Sequence, residues 1–311
     1  MKAISYSRYG GPEVLEYGER PEPKVGPDSV LVKVRAAAVN PVDWKAREGY
    51  IDSLFEPVFP VVPGWDVSGV VVQPGIAVTE FAVGDEVMGY VREDFLGRGT
   101  FAEYVAAPLR TLARKPLNLS FEQAAGLPQV GLTAYQVLNH ELKVQGGDTV
   151  LVHAAAGGVG SLAVQLAKHA GARVIGTASE RNHDHLRELG AEPVTYGEGL
   201  ADRVRALAPE GVDAVFDTIG GDALSASAEV LAPEGRLASI ADREVLSLGG
   251  HYYWVRPDAA DLAALGELAE QGVVTVHVDR TFPLEKTADA HALNAEGRTR
   301  GKIVVTVEWD G

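Results

Sequence analysis

The chain has 311 residues, 46% of them hydrophobic and 23% charged, which is the composition of a globular protein long enough for two domains. Its formal net charge of -15 at pH 7 repels nucleic-acid phosphates, so we expect no nucleic-acid partner. The sequence contains no cysteine, which excludes disulfides, thiolate nucleophiles and thiolate-bound metals.

The hydropathy pattern gives no sign of a membrane segment. We find no apolar run of about 18 residues that would span a bilayer, so we expect no membrane partner. Residues 1–8 alternate like a strand and lack the continuous apolar core of a secretion signal. We therefore expect a soluble, cytoplasmic protein.

Short strands separated by glycine, proline and aspartate turns predict a β-rich first domain over residues 1–120. Val30–Arg35 has the apolar alternation of a strand, and turns such as Gly26–Asp28 and Val83–Asp85 punctuate the segment. This texture indicates a small, partly closed β-barrel.

From Phe121 onward, predicted strands alternate with helices, which is typical of a parallel sheet covered on both faces. The alternation predicts a doubly wound domain over residues 121–278. The predicted helices include Gly158–His169, Asp222–Leu231 and Ala259–Glu270. The predicted strands are Thr149–His153, Arg173–Ala178, Pro193–Thr195, Asp213–Asp217 and Gly235–Ile240.

The alternation stops near Asp279, and Ile303–Val307 ends the pattern as a lone β-segment. We expect residues 279–311 to return to the first domain.

The first strand of this second domain runs into an A-x-G-x-x-G loop, Ala155–Gly160, and then into an apolar-periodic helix. Gly157 would let the backbone approach a pyrophosphate, and Gly160 would let helix and strand pack closely. Amides at the helix N-terminus would face the anion. The predicted dinucleotide contacts of the loop are Ala155, Gly157, Gly158, Val159 and Gly160.

The end of the second strand usually decides the choice of dinucleotide, because NAD enzymes carry an acid there. This chain has Ala178 at that position, followed by Ser179 and Arg181, whose hydroxyl and guanidinium suit a 2'-phosphate. Ser179 also fits a helix cap, Arg181 a solvated helix residue, and Glu180 keeps NADH open. We predict NADPH.

Several blocks resemble the quinone oxidoreductase branch of the medium-chain dehydrogenase/reductase superfamily, in the family's order over nearly the whole chain. The blocks are Asn40–Lys45, Pro63–Val70, Gly99–Tyr104, Ala124–Pro128, Gly131–Ala134, His153–Gly160, Asp217–Gly221 and Gly301–Val305. The resemblance implies a GroES-like domain beside a Rossmann domain. It also implies cofactor contacts from Thr133, Tyr196, Thr218, Ile240 and Ala241.

Relatives in this family commonly pair two Rossmann sheets across a two-fold axis. The segment Leu248–Val255 is apolar and strand-like beyond the fifth strand of the second domain. An exposed edge of that kind invites pairing, so we expect a homodimer.

Zinc alcohol dehydrogenases of the same superfamily hold their metal with cysteines and a Gly-His-Glu block. Here the block reads Gly64-Trp65-Asp66, so we expect a zinc-free protein. His183 and His185 stand two residues apart in a helical stretch and would point in different directions, so we expect no metal there either.

Reduction of an α,β-unsaturated carbonyl places negative charge on its oxygen, and a hydrogen-bond donor lowers that barrier. Many quinone oxidoreductases have tyrosine where this chain has Lys45, and Pro41–Lys45 resembles the subgroup that reduces enones and alkenals. Lys45 is therefore the candidate donor, unless it is a surface lysine. Asn40 is a second candidate, as a helix cap, a pocket group or both, whereas Asp43 fits a structural role.

The substrate would lie between the two domains. Tyr50 and Trp65 either wall its pocket or fill the core. The predicted function is NADPH-dependent, zinc-free hydride transfer to quinones or enones. An enoyl-thioester reductase and a catalytically idle NADPH-binding structural or sensor protein remain alternatives.

Overall fold

The computed structural model describes residues 1–309, and the chain divides into two units. Unit 1 contains residues 1–129, residues 257–271 and the described residues from 276 onward. Unit 2 contains residues 130–256 and 272–275.

The strands are numbered along the chain. They are β1 (Lys2–Ser5), β2 (Glu16–Glu19), β3 (Ser29–Val39), β4 (Glu56–Val62), β5 (Asp66–Pro74), β6 (Glu86–Tyr90), β7 (Phe95–Arg98), β8 (Tyr104–Pro108), β9 (Leu112–Arg114), β10 (Thr149–Val152), β11 (Arg173–Ala178), β12 (Glu192–Thr195), β13 (Val212–Asp217), β14 (Leu231–Ser239), β15 (His251–Tyr252), β16 (Val278–Pro283) and β17 (Lys302–Thr306).

The α-helices are numbered in the same way. They are α1 (Pro41–Arg47), α2 (Phe121–Ala125), α3 (Pro128–Gln136), α4 (Gly158–His169), α5 (His183–Glu188), α6 (Leu200–Leu207), α7 (Asp222–Val230), α8 (Ala259–Glu270) and α9 (Thr287–Ala295). Within residues 1–309, none of these helices has the length and apolarity that crossing a bilayer requires.

Unit 1 is built on a seven-stranded sheet in the order β16-β17-β3-β5-β6-β9, with β8 also paired to β3. The long strand β3 holds this sheet together, because different parts of it pair with β5, β8 and β17. Its alternate residues Val30, Val32 and Val34 are fully buried and lie in one apolar cluster with Ile303 and Val305 of β17. The period-two pattern of the sequence thus corresponds to a buried strand face.

The C-terminal segment contains more structure than the sequence pattern indicated. β17 is antiparallel to β3, with Val305 opposite Ala37, but β16 and α9 precede it. The pattern missed β16 because its residues are mostly exposed and show no apolar alternation.

Helix α8 is a second difference, since the alternation assigned it to the dinucleotide-binding domain and the structure places it in unit 1. Leu262 and Leu265 are buried, and the amide of Asn118 donates to the carbonyl of Ala269 at 2.8 Å. A Cβ added at Gly266 would lie 3.3 Å from the Met88 side chain of β6. These contacts, distant in sequence, are invisible to a local pattern.

Unit 2 contains a six-stranded sheet in the order β12-β11-β10-β13-β14-β15, and every pairing is parallel. Numbered from β10, this is the 3-2-1-4-5-6 order of a Rossmann sheet. The order reverses at β10, which lies between β11 and β13. In such sheets ligands bind at the carboxyl ends of the strands beside this point.

Element boundaries in unit 2 follow the sequence pattern closely at β10, α4 and β11 and less well towards β15. The segment Leu248–Val255, expected to be strand-like throughout, forms only the two-residue strand β15. Gly249 has φ +78°, a left-handed turn conformation that interrupts the extended chain before β15.

Candidate active site

The turn between β10 and α4 brings the backbone very close to itself. A Cβ at Gly160 would lie 2.3 Å from the carbonyl oxygen of Ala154, so any side chain there would force the turn apart. Ala154 itself has φ +47°, which is uncommon for a residue other than glycine. Gly160 therefore allows this tight turn, and contacts with neighbouring residues hold Ala154 in its uncommon conformation.

Thr177 of the neighbouring strand β11 anchors this turn. Its hydroxyl accepts from the N–H of Ala154 at 3.1 Å, and its carbonyl accepts from the N–H of Ala155 at 2.9 Å. The ring of His153 lies between the hydroxyls of Thr177 (3.2 Å) and Ser227 (2.8 Å). Burial lowers the pKa of His153 to about 4, so the ring is neutral at pH 7 and packs the loop without adding charge.

Gly157 occupies the cap position of the twelve-residue helix α4 and has no side chain with which to cap it. The amides of the first turn, which begins with Gly158 and Val159, have no partner from a capping side chain. They form the kind of helix N-terminus that binds phosphate.

Two further loops at this edge of the sheet are held by a buried carboxylate that the sequence analysis did not single out. Asp217, at the end of β13, accepts from the N–H groups of Ile219 and Gly220, both at 3.0 Å, and from the hydroxyl of Ser239 at 2.6 Å. An acid that ends a buried apolar strand is the sequence signal that would have identified it. Thr218 donates to the carbonyl of His153 at 2.9 Å, which ties this loop to the glycine turn.

The Ser239 hydroxyl in turn accepts from the N–H groups of Ala241 and Asp242, each at 3.1 Å. Ile240 donates its N–H to the carbonyl of Asp217 at 3.1 Å. Thr218, Ile240 and Ala241 thus lie in two loops that one buried network connects. Thr133, the remaining predicted contact near the nicotinamide, is buried in α3.

The residues predicted to choose the dinucleotide lie at the ends of two adjacent strands. Ala178 of β11 is paired with Thr195 of β12, so Ser179 and Tyr196 leave the sheet side by side. Ser179 precedes a short 3₁₀ turn, Glu180–Asn182, but its hydroxyl makes no cap bond to that turn. Tyr196 is 59% exposed, and Arg181 is also exposed.

In unit 1, helix α1 begins with the expected cap. The carboxylate of Asp43 accepts from the N–H of Asn40 at 2.7 Å, as a capping box requires. Asn40 is the N-cap residue, and its side chain takes part in the capping box. It is fully buried, donates to Asp66 at 2.9 Å and accepts from the ammonium group of Lys302.

These four residues, Asn40, Asp43, Asp66 and Lys302, form what we call the acid–lysine cluster. The Lys302 nitrogen donates to the carbonyl of Val39 at 3.1 Å and lies 3.8 Å from a carboxylate oxygen of Asp66. The cluster joins the N-terminus of α1 to β5 and β17. Asp66 and Lys302 both lie in blocks that resemble the family, but neither block by itself indicates that the two side chains meet.

Burial dominates the electrostatics of the cluster. It raises the pKa of Asp43 to about 7, against the hydrogen bond donated by the Asn40 N–H. It raises the pKa of Asp66 to about 6, against the attraction of Lys302 and two donated hydrogen bonds. It lowers the pKa of Lys302, against the two acids. For each of these three groups, desolvation thus destabilises the charged form more than the neighbouring charges and hydrogen bonds stabilise it.

Lys45 and Tyr50 lie at the surface of unit 1. Lys45 is exposed on α1, with its ammonium nitrogen 5.7 Å from the centre of the Trp44 ring. Tyr50 is 69% exposed and meets the same Trp44 ring edge-on, at a centroid distance of 6.3 Å.

Trp65 is buried in unit 1. Its ring is 7% exposed and lies 5.5 Å from that of Phe55 and 6.1 Å from that of Tyr90. It also lines a small cavity with a volume of about 20 Å³, room for one water molecule. The indole thus packs where zinc alcohol dehydrogenases would carry a histidine.

Within the described part of the chain, no group of three or more His, Cys, Asp or Glu residues is arranged to hold a metal ion. His183 and His185 both lie on α5 and belong to no such group.

Two family patterns match the chain. The alcohol dehydrogenase GroES-like domain matches residues 26–117, and the zinc-binding dehydrogenase domain matches residues 189–305. The first lies in the β-rich unit 1, and the second begins between α5 and β12 of unit 2 and ends in β17.

Similar proteins cover nearly the whole chain. A chloroplastic NADPH-dependent alkenal/one oxidoreductase of Arabidopsis thaliana is 38% identical, over 98% of this chain and 79% of its own length. A quinone oxidoreductase of Pseudomonas aeruginosa is 34% identical over 98% of this chain and 99% of its own. The solved quinone oxidoreductase of Coxiella burnetii superposes with a TM-score of 0.89 at 37% identity, covering 99% of both chains. This chain therefore belongs to the quinone oxidoreductase and enone reductase branch of the medium-chain dehydrogenase/reductase superfamily.

Proposed function

We propose that this protein is an NADPH-dependent oxidoreductase that transfers hydride, without zinc, to quinones or to the alkene of α,β-unsaturated carbonyl compounds. The observation that carries the proposal is the anchored glycine turn before α4, where a Cβ at Gly160 would lie 2.3 Å from a backbone oxygen. Such a turn suits a dinucleotide pyrophosphate at the helix N-terminus. Relatives named for NADPH, alkenals and quinones support the reaction class.

Unit 2 would bind the cofactor. The amides at the start of α4 would hold the pyrophosphate, and Ser179, Arg181 and Tyr196 would surround the 2'-phosphate of NADPH. Thr133 and the loops that carry Thr218, Ile240 and Ala241 would contact the nicotinamide end. The buried carboxylate of Asp217 would keep those loops in place, because it accepts from both backbone and side-chain donors.

Unit 1 would supply the groups that act on the acceptor. Bound NADPH would provide a hydride for the β-carbon of an enone. Lys45 would donate a hydrogen bond to the carbonyl oxygen as negative charge develops there, and water would protonate the α-carbon. The exposed ring of Tyr50 would contact the acceptor. Asn40, which is buried in the acid–lysine cluster, would hold the N-terminus of α1 in position.

The oligomeric state and the cellular compartment of the protein remain predictions. We propose a homodimer formed through the edge of the sheet at β15, since a short exposed edge strand is free to pair with a second copy. A monomeric mass by light scattering at micromolar concentration would contradict it. The cytoplasmic location rests on the sequence alone.

The decisive experiment follows NADPH oxidation by the purified protein against quinones, enones, alkenals and enoyl thioesters. Turnover with enones or quinones and little with thioesters supports the proposal. Turnover confined to thioesters would identify an enoyl-thioester reductase. NADPH binding with no turnover on any acceptor would indicate an idle NADPH-binding protein.

A further inference from the structure

The loop between β12 and α6, residues Tyr196–Gly199, which we call the Tyr196 loop, wraps around one guanidinium. The Nε atom of Arg203 donates to the carbonyl of Thr195 at 3.0 Å, and Nη1 donates to that of Glu198 at 2.8 Å. Nη2 donates to the carbonyls of Gly197 at 3.2 Å and Tyr196 at 3.4 Å. Arg203 therefore reaches four successive carbonyl groups.

This loop needs such support. Gly197 has φ +94° and Gly199 has φ +73°, so two of its four residues adopt left-handed conformations that glycine favours. Glycine also loses the most backbone entropy on ordering, so the sequence of the loop does not fix its own shape. The helix that follows does so instead. Leu200 and Val204 bury one face of α6, and Arg203 extends from the helix back over the loop.

The loop carries one of the residues that we place at the cofactor. Because Ala178 pairs with Thr195, Tyr196 enters the loop beside Ser179, at a strand spacing of about 4.8 Å. The ring of Tyr196 is exposed, so its direction depends on the backbone that Arg203 holds.

We propose that Arg203 is a positioning residue for NADPH, which sets the selectivity for the 2'-phosphate by fixing Tyr196 beside Ser179 without touching the cofactor. The inference rests on the proposed function, because it requires NADPH at this edge of the sheet. Lysine would keep the charge of Arg203 but lose the planar fork that spans several carbonyls. The effect of Arg203→Lys is therefore geometric.

The test measures dissociation constants for NADPH and NADH by calorimetry. Arg203→Lys should bind NADPH about 10-fold more weakly than wild type and NADH less than about 3-fold more weakly, because NADH lacks the 2'-phosphate. The turnover number at saturating NADPH should stay unchanged. Arg205→Lys is the matched control, since Arg205 lies on the same helix and donates to Glu229, outside the loop.

A double-mutant cycle tests the route of the effect. If Arg203 acts through Tyr196, the double variant with Tyr196→Ala and Arg203→Lys should bind NADPH less than about 2-fold more weakly than Tyr196→Ala alone. Additive losses would overturn the inference, as would equal losses for the two dinucleotides, which would indicate a merely structural role. Unchanged NADPH affinity in Arg203→Lys would overturn the inference alone. Failure of wild type to bind NADPH would overturn the proposed function and the inference with it.

Discussion

Lys45 carries the chemical assignment at the scale of single residues, because its amine is exposed while Asp43, the acid of α1, is buried. Lys45→Ala should lower enone turnover by about 10² to 10³, roughly 2.7 to 4 kcal/mol, the usual cost of losing one donor to a developing oxyanion. Lys45→Met should fail similarly, because it keeps the apolar stem and removes the donor. Steady-state kinetics with an enone at saturating NADPH measures both variants.

The control for Lys45 is Lys33, another lysine of unit 1 that stacks on an indole, 3.9 Å from the Trp309 ring centre. Lys33→Met should keep wild-type turnover. Wild-type rates in both Lys45 variants would show that Lys45 is not the donor. A collapse of NADPH affinity in either variant would instead assign Lys45 to the cofactor site.

Arg181 carries the second prediction at this scale. NADPH should bind at least about 10-fold more tightly than NADH, since a charge-assisted contact to the 2'-phosphate contributes roughly 1.5 to 3 kcal/mol. Arg181→Ala should remove most of that preference, whereas Arg187→Ala, on the same helical stretch and paired with Asp184, should not. Calorimetry provides the comparison, and equal affinities of wild type for both dinucleotides would refute the prediction.

At the scale of elements, the start of α1 depends on the acid–lysine cluster, and its stability should depend on pH. Burial raises the pKa of Asp43 from 3.8 to about 7, so the folded state binds the proton more tightly than the unfolded state. The resulting stability is fully present below about pH 4 and is lost as pH rises to about 7. Asp43→Asn lacks this dependence but keeps an oxygen to accept from the Asn40 N–H.

The variant should therefore gain stability relative to wild type as pH rises through this window, by about 3 kcal/mol in total. Chemical unfolding of both proteins at pH 4, 5.5 and 7 measures the difference. A difference in unfolding free energy that is constant across these pH values would show that folding does not raise the pKa of Asp43.

Local patterns predicted α4 and β11 well because apolar periodicity, a glycine turn and strand length all agree there. The same rules gave only part of the role of Asn40. It caps α1, as its position and type indicate, but its side chain also bonds to a buried acid of β5 and a buried lysine of β17. A single sequence gives no sign that residues so distant along the chain converge.

At the scale of the whole molecule, the alternation of strands and helices predicted the Rossmann sheet, and short strands between glycine, proline and aspartate turns predicted the β-rich domain. Helix α8 was misplaced because helices of either unit have the same local pattern. What places α8 in unit 1 is contact with Asn118 and Met88. The glycine turn before α4 could be predicted because one short segment contains its glycines, whereas the Asp217 and Arg203 networks join residues that are separated along the chain.

The central claim, metal-free hydride transfer to an activated alkene, is tested most directly by isotope transfer. The protein, stripped of metal by exhaustive chelation, is supplied with an enone and NADPH dideuterated at the nicotinamide C4, and the product is identified by mass spectrometry and NMR. We predict turnover without added metal and a saturated ketone with one deuterium on the β-carbon. Turnover only after zinc is restored, or deuterium on the carbonyl carbon of an alcohol product, would contradict the account.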